Sequence, residues 1–150
     1  MPGYLGAAAV IASGFVAGVL FSVALSVVPA FLGLPPDRYV EIHKLVGRRY
    51  DRVMPPLVLT YTLLDLFLAA RAEAPSERAL LAAAAACGLG TALVSQLGNV
   101  PINRRVKSLP PGAVPAGWDD PRARWRGFNL VRTGLAACGF VLNAGALLLR

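Results

Sequence analysis

Residues 1–36 of this 150-residue chain contain no charged side chain. Charge is scarce throughout, since 15% of the residues are charged and 56% are hydrophobic, whereas about a quarter of the residues in a soluble domain are charged. Cysteine is almost absent as well, and Cys87 and Cys138 form no CxxC pair. The composition excludes an ordinary soluble domain, and the isolated cysteines indicate small packing residues rather than a thiol–disulfide enzyme.

What the chain has instead is four long apolar runs, at about residues 7–30, 53–70, 79–98 and 128–149. Each is close to the ~20 apolar residues that a helix needs to cross a bilayer. We therefore predict a single all-α domain, an integral membrane four-helix bundle. The first run lacks a basic leader and exceeds the usual apolar length of a signal peptide, so we interpret it as a retained span.

The basic residues are concentrated in two of the segments between these runs. Five lie between the first and second runs and six between the third and fourth: Arg38, Lys44, Arg48, Arg49 and Arg52, then Arg104, Arg105, Lys107, Arg122, Arg124 and Arg126. The positive-inside rule predicts a plasma-membrane protein with loops 35–52 and 99–127 in the cytoplasm and both termini outside. Anionic lipid headgroups then account for the net charge of +7, and no nucleic-acid partner is needed.

The first basic segment has the pattern of a helix. Tyr39, His43, Val46 and Tyr50 recur at helical spacing, while most of the charged residues fall elsewhere on the wheel. We expect a short amphipathic helix in the membrane interface, which turns the only histidine of the chain towards the bundle. Pro36-Asp37 is expected to start this helix. Pro29 is expected to kink or end the first span, and the Pro55–Pro56 pair to open the second.

Polar side chains gather at one level of the predicted bundle, just beneath the basic loops. Trp125, Asn129 and Arg132 share one helix face by their i, i+4, i+7 spacing. Gln96, Asn99 and Asn103 approach the same level from the third run, and His43 approaches it from the first loop. Polar groups in a bundle are costly, which makes these seven residues a candidate pocket. The alternatives are a snorkelling Arg132, helix-capping asparagines and an interfacial Trp125 anchor.

Two titratable groups remain ambiguous. Asp65 lies deep in the second run, near the level expected for Asn143, and is either a protonated structural residue or a proton-relay group. His43 is either structural or a general base. As a metal ligand it lacks a carboxylate at helical i+3 or i+4 spacing, so no metal site is predicted. Because the spans hold one acidic residue, an ion-coupled transporter is not favoured.

Several of these residues form motifs that resemble a known family. They are Phe21-Ser22, Val28-Pro29-Ala30, Tyr39 with His43, Met54-Pro55, the stretch Gly98-Asn99-Val100-Pro101-Ile102-Asn103, and Trp125 with Asn129 and Arg132-Thr133. Together they resemble the anthrone oxygenase-like family of small four-helix membrane proteins. The resemblance implies an oxygenase that uses molecular oxygen on an anthrone-like or other electron-rich phenolic or polycyclic substrate, as the fungal members do in polyketide pathways.

The resemblance also leads to hypotheses about roles. His43 is the candidate base, and Asn99, Asn103, Asn129 and Arg132 would hold the developing oxyanion. Trp125, Tyr39 and Phe21 would stack on the substrate rings, with Gln96 as a further binding residue. No resident cofactor is predicted, although a bound metal or haem stays open. The competing hypothesis is a non-enzymatic binding or permeation protein for a lipid, quinone or small anionic metabolite, and small-residue faces permit a homo-oligomer.

Overall fold

The computed structural model describes residues 3–110, 114–115 and 117–149, and these form four long helices. Helix α1 spans Gly3–Gly33, α2 spans Pro36–Arg71, α3 spans Pro75–Ser108 and α4 spans Arg122–Leu148, and each is long and apolar enough to cross a membrane. The described ranges contain no strand. The predicted all-α, four-span architecture is confirmed, and each helix begins or ends several residues beyond its apolar run.

The helices pack as a bundle in cyclic order, so that α1 contacts α2 and α4, and α3 contacts the same two helices. The α1–α2 connection is short because Leu34 adopts an extended backbone (φ −82°, ψ 148°) before Pro35, as the residue before a proline prefers. Proline also lies in the first turn of α2 and of α3, where its missing N–H costs no helical hydrogen bond. We call the end with the α1–α2 and α3–α4 connections the basic end.

Two internal prolines are accommodated by π-helical turns. Val23–Val27 in α1 and Ser95–Asn99 in α3 are π-helical, and Pro29 and Pro101 follow them. At the end of each turn a backbone N–H bonds to the carbonyl five residues earlier, from Val28 to Val23 and from Val100 to Ser95. The wider turn displaces the carbonyl that the proline ring would otherwise meet. Pro29 therefore does not end α1, which continues to Gly33.

The first basic segment is not a separate interfacial helix, contrary to our expectation. Helix α2 is continuous from Pro36 to Arg71 and contains both Pro55 and Pro56 in its interior. The reason is packing: Tyr39 and His43 are buried, at 0% and 2% exposure, against side chains of α1 and α4. Burial against the bundle aligns this segment with the second span, so the helix continues where an isolated sequence would break.

The outer surface is apolar, and a second polar cluster is buried inside. Large hydrophobic side chains such as Phe15 and Leu97 are 64% and 78% exposed, as expected for surfaces that face lipid. Inside, Asn143 Nδ2 donates hydrogen bonds to Asp65 Oδ2 at 3.1 Å and to Ser13 Oγ at 3.3 Å. The expected Asp65–Asn143 pairing is confirmed, and it connects α1, α2 and α4 away from the basic end.

Candidate functional site

The candidate site is organised around one amide oxygen near the basic end of the bundle. Asn103 Oδ1 lies 3.1 Å from His43 Nε2 and accepts a hydrogen bond from Trp125 Nε1 at 3.0 Å. The three residues come from α2, α3 and α4. The sequence placed all three at one level, and the structure brings them into direct contact through a shared acceptor.

This geometry determines which ring nitrogen of His43 carries the proton. Trp125 Nε1 can only donate, so the Asn103 atom that it contacts is the carbonyl oxygen. That oxygen can only accept, and His43 Nε2 must therefore carry a hydrogen. The neutral imidazole is then the Nε2–H tautomer, with a bare Nδ1. His43 Nδ1 is buried without a hydrogen-bond partner among the described residues, so no hydrogen bond from these residues engages its lone pair.

An aromatic cluster holds the imidazole in place. The ring centroid of Phe31 lies 5.2 Å from Tyr39, 5.3 Å from His43 and 5.5 Å from Trp125. Tyr39 also contacts His43 edge-on at 5.3 Å, one helical turn earlier in α2. Such edge-to-face contacts are favourable at these separations, so His43 has little freedom to rotate. Phe31 was not predicted from the sequence, although it lies close to the Val28-Pro29 motif.

Beside this cluster lies a cavity of about 340 Å³, within the range of about 300–1,000 Å³ typical of small-molecule sites. Its walls are mostly apolar, with Leu20, Val58 and Leu59 among them. Its polar lining is confined to a few side chains, mainly His43, Asp51, Ser95, Gln96, Asn99, Asn103, Trp125 and Arg132. Both π-helical turns contribute to the lining, Val23 and Val27 from α1 and Ser95, Gln96 and Asn99 from α3. π-Turns often occur at functional sites.

Arg132 provides a positive charge at the cavity wall. Its Nη1 donates to Ser95 Oγ at 3.5 Å, a long hydrogen bond, and its buried Nε has no hydrogen-bond partner in the described part of the chain. None of the ion pairs formed among the described residues includes Arg132. A guanidinium with a buried, unpartnered Nε and no ion pair among the described residues is suited to bind an anionic oxygen. Ser95 is a lining residue that sequence reasoning missed.

Asn99 and Asn129, both predicted to hold substrate, differ in their position relative to the cavity. Asn99 lines the cavity, and its Nδ2 donates to the carbonyl of Trp125 at 3.3 Å. Asn129 is fully buried, and neither of its amide atoms has a hydrogen-bond partner within the described ranges. Asn129 is not among the cavity-lining residues. Its role in holding substrate stays a prediction without support from the geometry.

Of the four residues predicted to bind the substrate rings, two line the cavity and two do not. Trp125 and Gln96 line the cavity. Tyr39 is fully buried behind His43 and does not line it, and Phe21 is 61% exposed on the outside of the bundle. Phe21 therefore lies on the lipid-facing surface, because position 21 of α1 points away from the bundle axis while its neighbour Leu20 points inward.

Arg122 connects α1 and α4 at the edge of the site. Its Nη1 donates to the carbonyl oxygens of Phe31 at 2.9 Å and Leu34 at 2.6 Å, and its guanidinium lies 5.3 Å from the Tyr39 ring centroid. Arg122 also donates to both carboxylate oxygens of Asp120. These hydrogen bonds lower the pKa of Asp120. The pair thereby joins the end of α1, which bears Phe31, to the start of α4.

The described residues contain no group of three or more His, Cys, Asp and Glu side chains that could hold a metal ion. Cys87 and Cys138 are both free thiols. The polar groups that line the cavity are an imidazole, an indole, amides, hydroxyls, a carboxylate and a guanidinium. Such a set can accept a proton and stabilise an oxyanion.

The fold and the site together identify the class of protein. It is a four-helix membrane protein with an apolar cavity and a polar cluster at its basic end. The sequence profile of the anthrone oxygenase family matches residues 43–142. The chain therefore belongs to the anthrone oxygenase family. The match begins at His43 and includes Asn103, Trp125 and Arg132. Neither a curated protein nor a solved structure matches the chain.

Proposed function

We propose that this protein is a membrane-embedded oxygenase that oxidises an anthrone-like or other electron-rich polycyclic phenol with molecular oxygen. The observation that carries the proposal is the site itself: His43, whose Nδ1 has no hydrogen-bond partner among the described residues, and Arg132, which forms no ion pair there, border one apolar cavity in a chain of this family. The cavity size suits a flat ring system of a few fused rings. Secondary metabolism is the proposed context.

The proposed reaction begins with a proton transfer. An anthrone has an acidic CH₂ between two aromatic rings, and loss of one proton from this carbon gives an aromatic enolate. The electron-rich enolate gives electrons to O₂, and a C–O bond forms at the same carbon to yield a hydroperoxide after protonation. Loss of one water molecule gives the quinone. One O₂ is consumed, with one of its oxygen atoms in the product and the other in water.

Six of the polar residues that line the cavity have a defined part in this scheme. His43 Nδ1 takes the proton, and Asn103 keeps the imidazole in the tautomer that leaves Nδ1 bare. Arg132 and Asn99 stabilise the enolate oxygen, an arrangement equivalent to an oxyanion hole. Trp125 and Gln96 contact the rings from the cavity wall. Tyr39 supports His43 from behind rather than by stacking on the substrate.

Oxygen is the only cosubstrate that the proposal requires, and the ligand partners are a hydrophobic small molecule and membrane lipids. We place the protein in the plasma membrane with the basic end in the cytoplasm, because the positive-inside rule assigns the basic segments to that side. Substrate that dissolves in the bilayer then reaches the cavity without crossing water. No nucleic-acid partner is proposed, and the outer faces permit a homo-oligomer.

A second candidate function is a non-enzymatic binding protein for a quinone, lipid or small anionic metabolite. The observation in its favour is Arg132, which would hold an anionic group whether or not chemistry follows. In that case the Nδ1 of His43 would accept a hydrogen bond from the ligand. Lipid or quinone retained through purification, with no oxygen uptake, would favour binding over catalysis.

The test is oxygen consumption by the purified protein with emodin anthrone, together with quinone formation followed by absorbance. His43→Ala should lower turnover by about 10²–10⁴-fold, the usual contribution of a general base. Asn103→Ala removes the acceptor that orients His43 and should also lower turnover, by a smaller factor. Leu66→Ala on the lipid-facing side of α2, where Leu66 is 52% exposed, is the matched control and should keep full activity.

Metal and haem content is measured on the same preparations, so that any activity is assigned to the species that carries it. An unchanged rate in the His43→Ala variant would remove His43 as the base. Wild-type turnover no faster than the spontaneous oxidation would refute the oxygenase and leave the binding function.

A further inference from the structure

An open groove between α1 and α2 lies directly beside the cavity. The groove has a volume of about 750 Å³ and is lined by Val19, Val27, Leu45, Val46, Arg48, Arg49, Tyr50, Val53 and Met54. Val19, Val27, Val46, Tyr50 and Met54 line the cavity as well. One wall of side chains therefore borders both spaces.

The route through the basic end is closed by packed side chains. Tyr39 and Val106 are fully buried there, and Trp125 is 7% exposed. Leu109 and Trp118, from the connection between α3 and α4, pack on the same cluster. A ligand of several fused rings would have to separate this cluster to leave by that end. The groove between α1 and α2 is open to the outer surface and shares lining side chains with the cavity.

The groove combines an apolar wall with positive charge. Leu45 and Val53 are 61% and 60% exposed along it, so its mouth is continuous with the apolar outer surface of the bundle. Arg48 and Arg49 are exposed residues of the same lining. Their position in α2 places them nearer the basic end than Val53 and Met54. An apolar ligand with an acidic group fits this combination, with its rings along the valines and its acidic group beside the arginines.

We propose that this groove is a lateral portal, through which an apolar polycyclic ligand with an acidic substituent passes between the bilayer and the cavity. Val46, one of the side chains that line both spaces, is the residue that we assign to the passage, and Arg48 with Arg49 attracts the acidic group to its mouth. The portal rests on the proposed function in one respect, that the cavity receives such a ligand.

The test is the kinetics of ligand binding in lipid nanodiscs, which needs no turnover. The chain has two tryptophans, so a Trp118→Phe parent leaves Trp125 as the single fluorophore in the cavity wall. Quenching of Trp125 by emodin then reports the arrival and departure of the ligand. A barrier in the passage changes the association and dissociation rates together, whereas damage to the cavity changes mainly the dissociation rate.

Val46→Phe should lower both rates by about tenfold or more, a barrier change of about 1.4 kcal/mol. Because Val46 also lines the cavity, Kd is measured in the same variant, and the fall in both rates should exceed any change in Kd. Val46→Ala should raise both rates, a gain that a misfolded variant would not produce. Leu63→Phe is the matched control, because Leu63 lies on the same helix and is 55% exposed outside the groove. It should bind as the parent does.

The charge at the mouth is tested with two ligands that share one ring system. Association of anthraquinone-2-carboxylate should slow several-fold in the Arg48→Gln/Arg49→Gln variant and in high salt. Association of unsubstituted anthraquinone should not change. Equal effects on both ligands would overturn the role of the arginines.

The outcomes separate the portal from the proposed function. If emodin quenches Trp125 but both Val46 variants match the Leu63→Phe control, the ligand uses another route and the portal is wrong while the cavity site stands. If emodin does not quench Trp125 in the parent, the proposed function and the portal fail together. A phospholipid retained by the parent and lost in Val46→Phe, with unchanged emodin kinetics, would make the groove a lipid site instead.

Discussion

Substitution of Asn103 tests the hydrogen bonds of the site, because its side-chain oxygen accepts from two donors. Asn103→Leu deprives both His43 Nε2 and Trp125 Nε1 of their acceptor. Side-chain hydrogen bonds in membrane proteins contribute about 0.6 kcal/mol on average and about 1.7 kcal/mol at most. The loss of both bonds should therefore lower the free energy of unfolding by about 1–3 kcal/mol.

A double-mutant cycle isolates the shared oxygen from the general effects of substitution. Trp125→Phe breaks one bond in the wild-type background, but it breaks none when residue 103 is leucine. The two substitutions should thus be non-additive by about 1 kcal/mol, the contribution of one bond. The measurement is reversible unfolding in mixed micelles of dodecyl maltoside and sodium dodecyl sulfate, followed by far-UV circular dichroism.

The control cycle combines Trp125→Phe with Leu63→Ala, a substitution on the lipid-facing side of α2. These two residues share no partner, so their effects should add to within about 0.5 kcal/mol. If the effects in the Asn103–Trp125 cycle are equally additive, the shared acceptor makes no measurable contribution to the free energy of unfolding. The tautomer assigned to His43 would then lack support, because it depends on the Trp125–Asn103 hydrogen bond.

Three further predictions concern the tautomer, the packing and the pH response. In ¹⁵N NMR spectra neutral His43 should show a protonated Nε2 and a bare Nδ1, and the opposite pattern would contradict the hydrogen-bond assignment. Gly98→Ala places a Cβ 2.5 Å from the Phe128 ring and should cost about 1–3 kcal/mol in the same unfolding assay, whereas Gly18→Ala meets no described atom within 4 Å and should cost nothing. The pKa of Asp120 is lowered in the folded protein, so its contribution to stability is present above about pH 4 and is lost as the pH falls through the folded pKa. Asp120→Asn should remove this part of the acid sensitivity, and an unchanged pH profile would show that the pair does not stabilise the fold.

The level of the polar site could be predicted because helix geometry converts sequence spacing into depth. The C-terminal part of α3 holds residues 96, 99 and 103, and the N-terminal part of α4 holds residues 125 and 132. Because α3 and α4 are antiparallel, the regular rise per residue of a helix places both sets at the same end of the bundle. The contacts of Asn103 could not be predicted in the same way. They depend on the rotation of α2, α3 and α4 about their axes, which sequence spacing leaves undetermined.

Side-chain direction explains the residues that sequence reasoning misjudged. Phe21 belongs to a sequence motif, but it follows the buried Leu20 and points to the lipid-facing side, at 61% exposure. An all-apolar helix gives no sign of which face is inside, since lipid and protein interior are both apolar. Phe31 was overlooked for a different reason. It follows Pro29, and the sequence did not show that α1 continues beyond that proline.

Hydropathy and charge alone thus predict four helices long and apolar enough to cross a membrane, with most basic residues in two of the segments between them, because the transfer of charged groups into hydrocarbon is costly. Tertiary structure decided the rest. The continuity of α2 through Pro55 and Pro56, the π-turns before Pro29 and Pro101, and the convergence of His43, Asn103 and Trp125 on one oxygen all result from neighbouring helices. Each of these features depends on contacts between residues far apart in the chain, and no local propensity specifies such contacts.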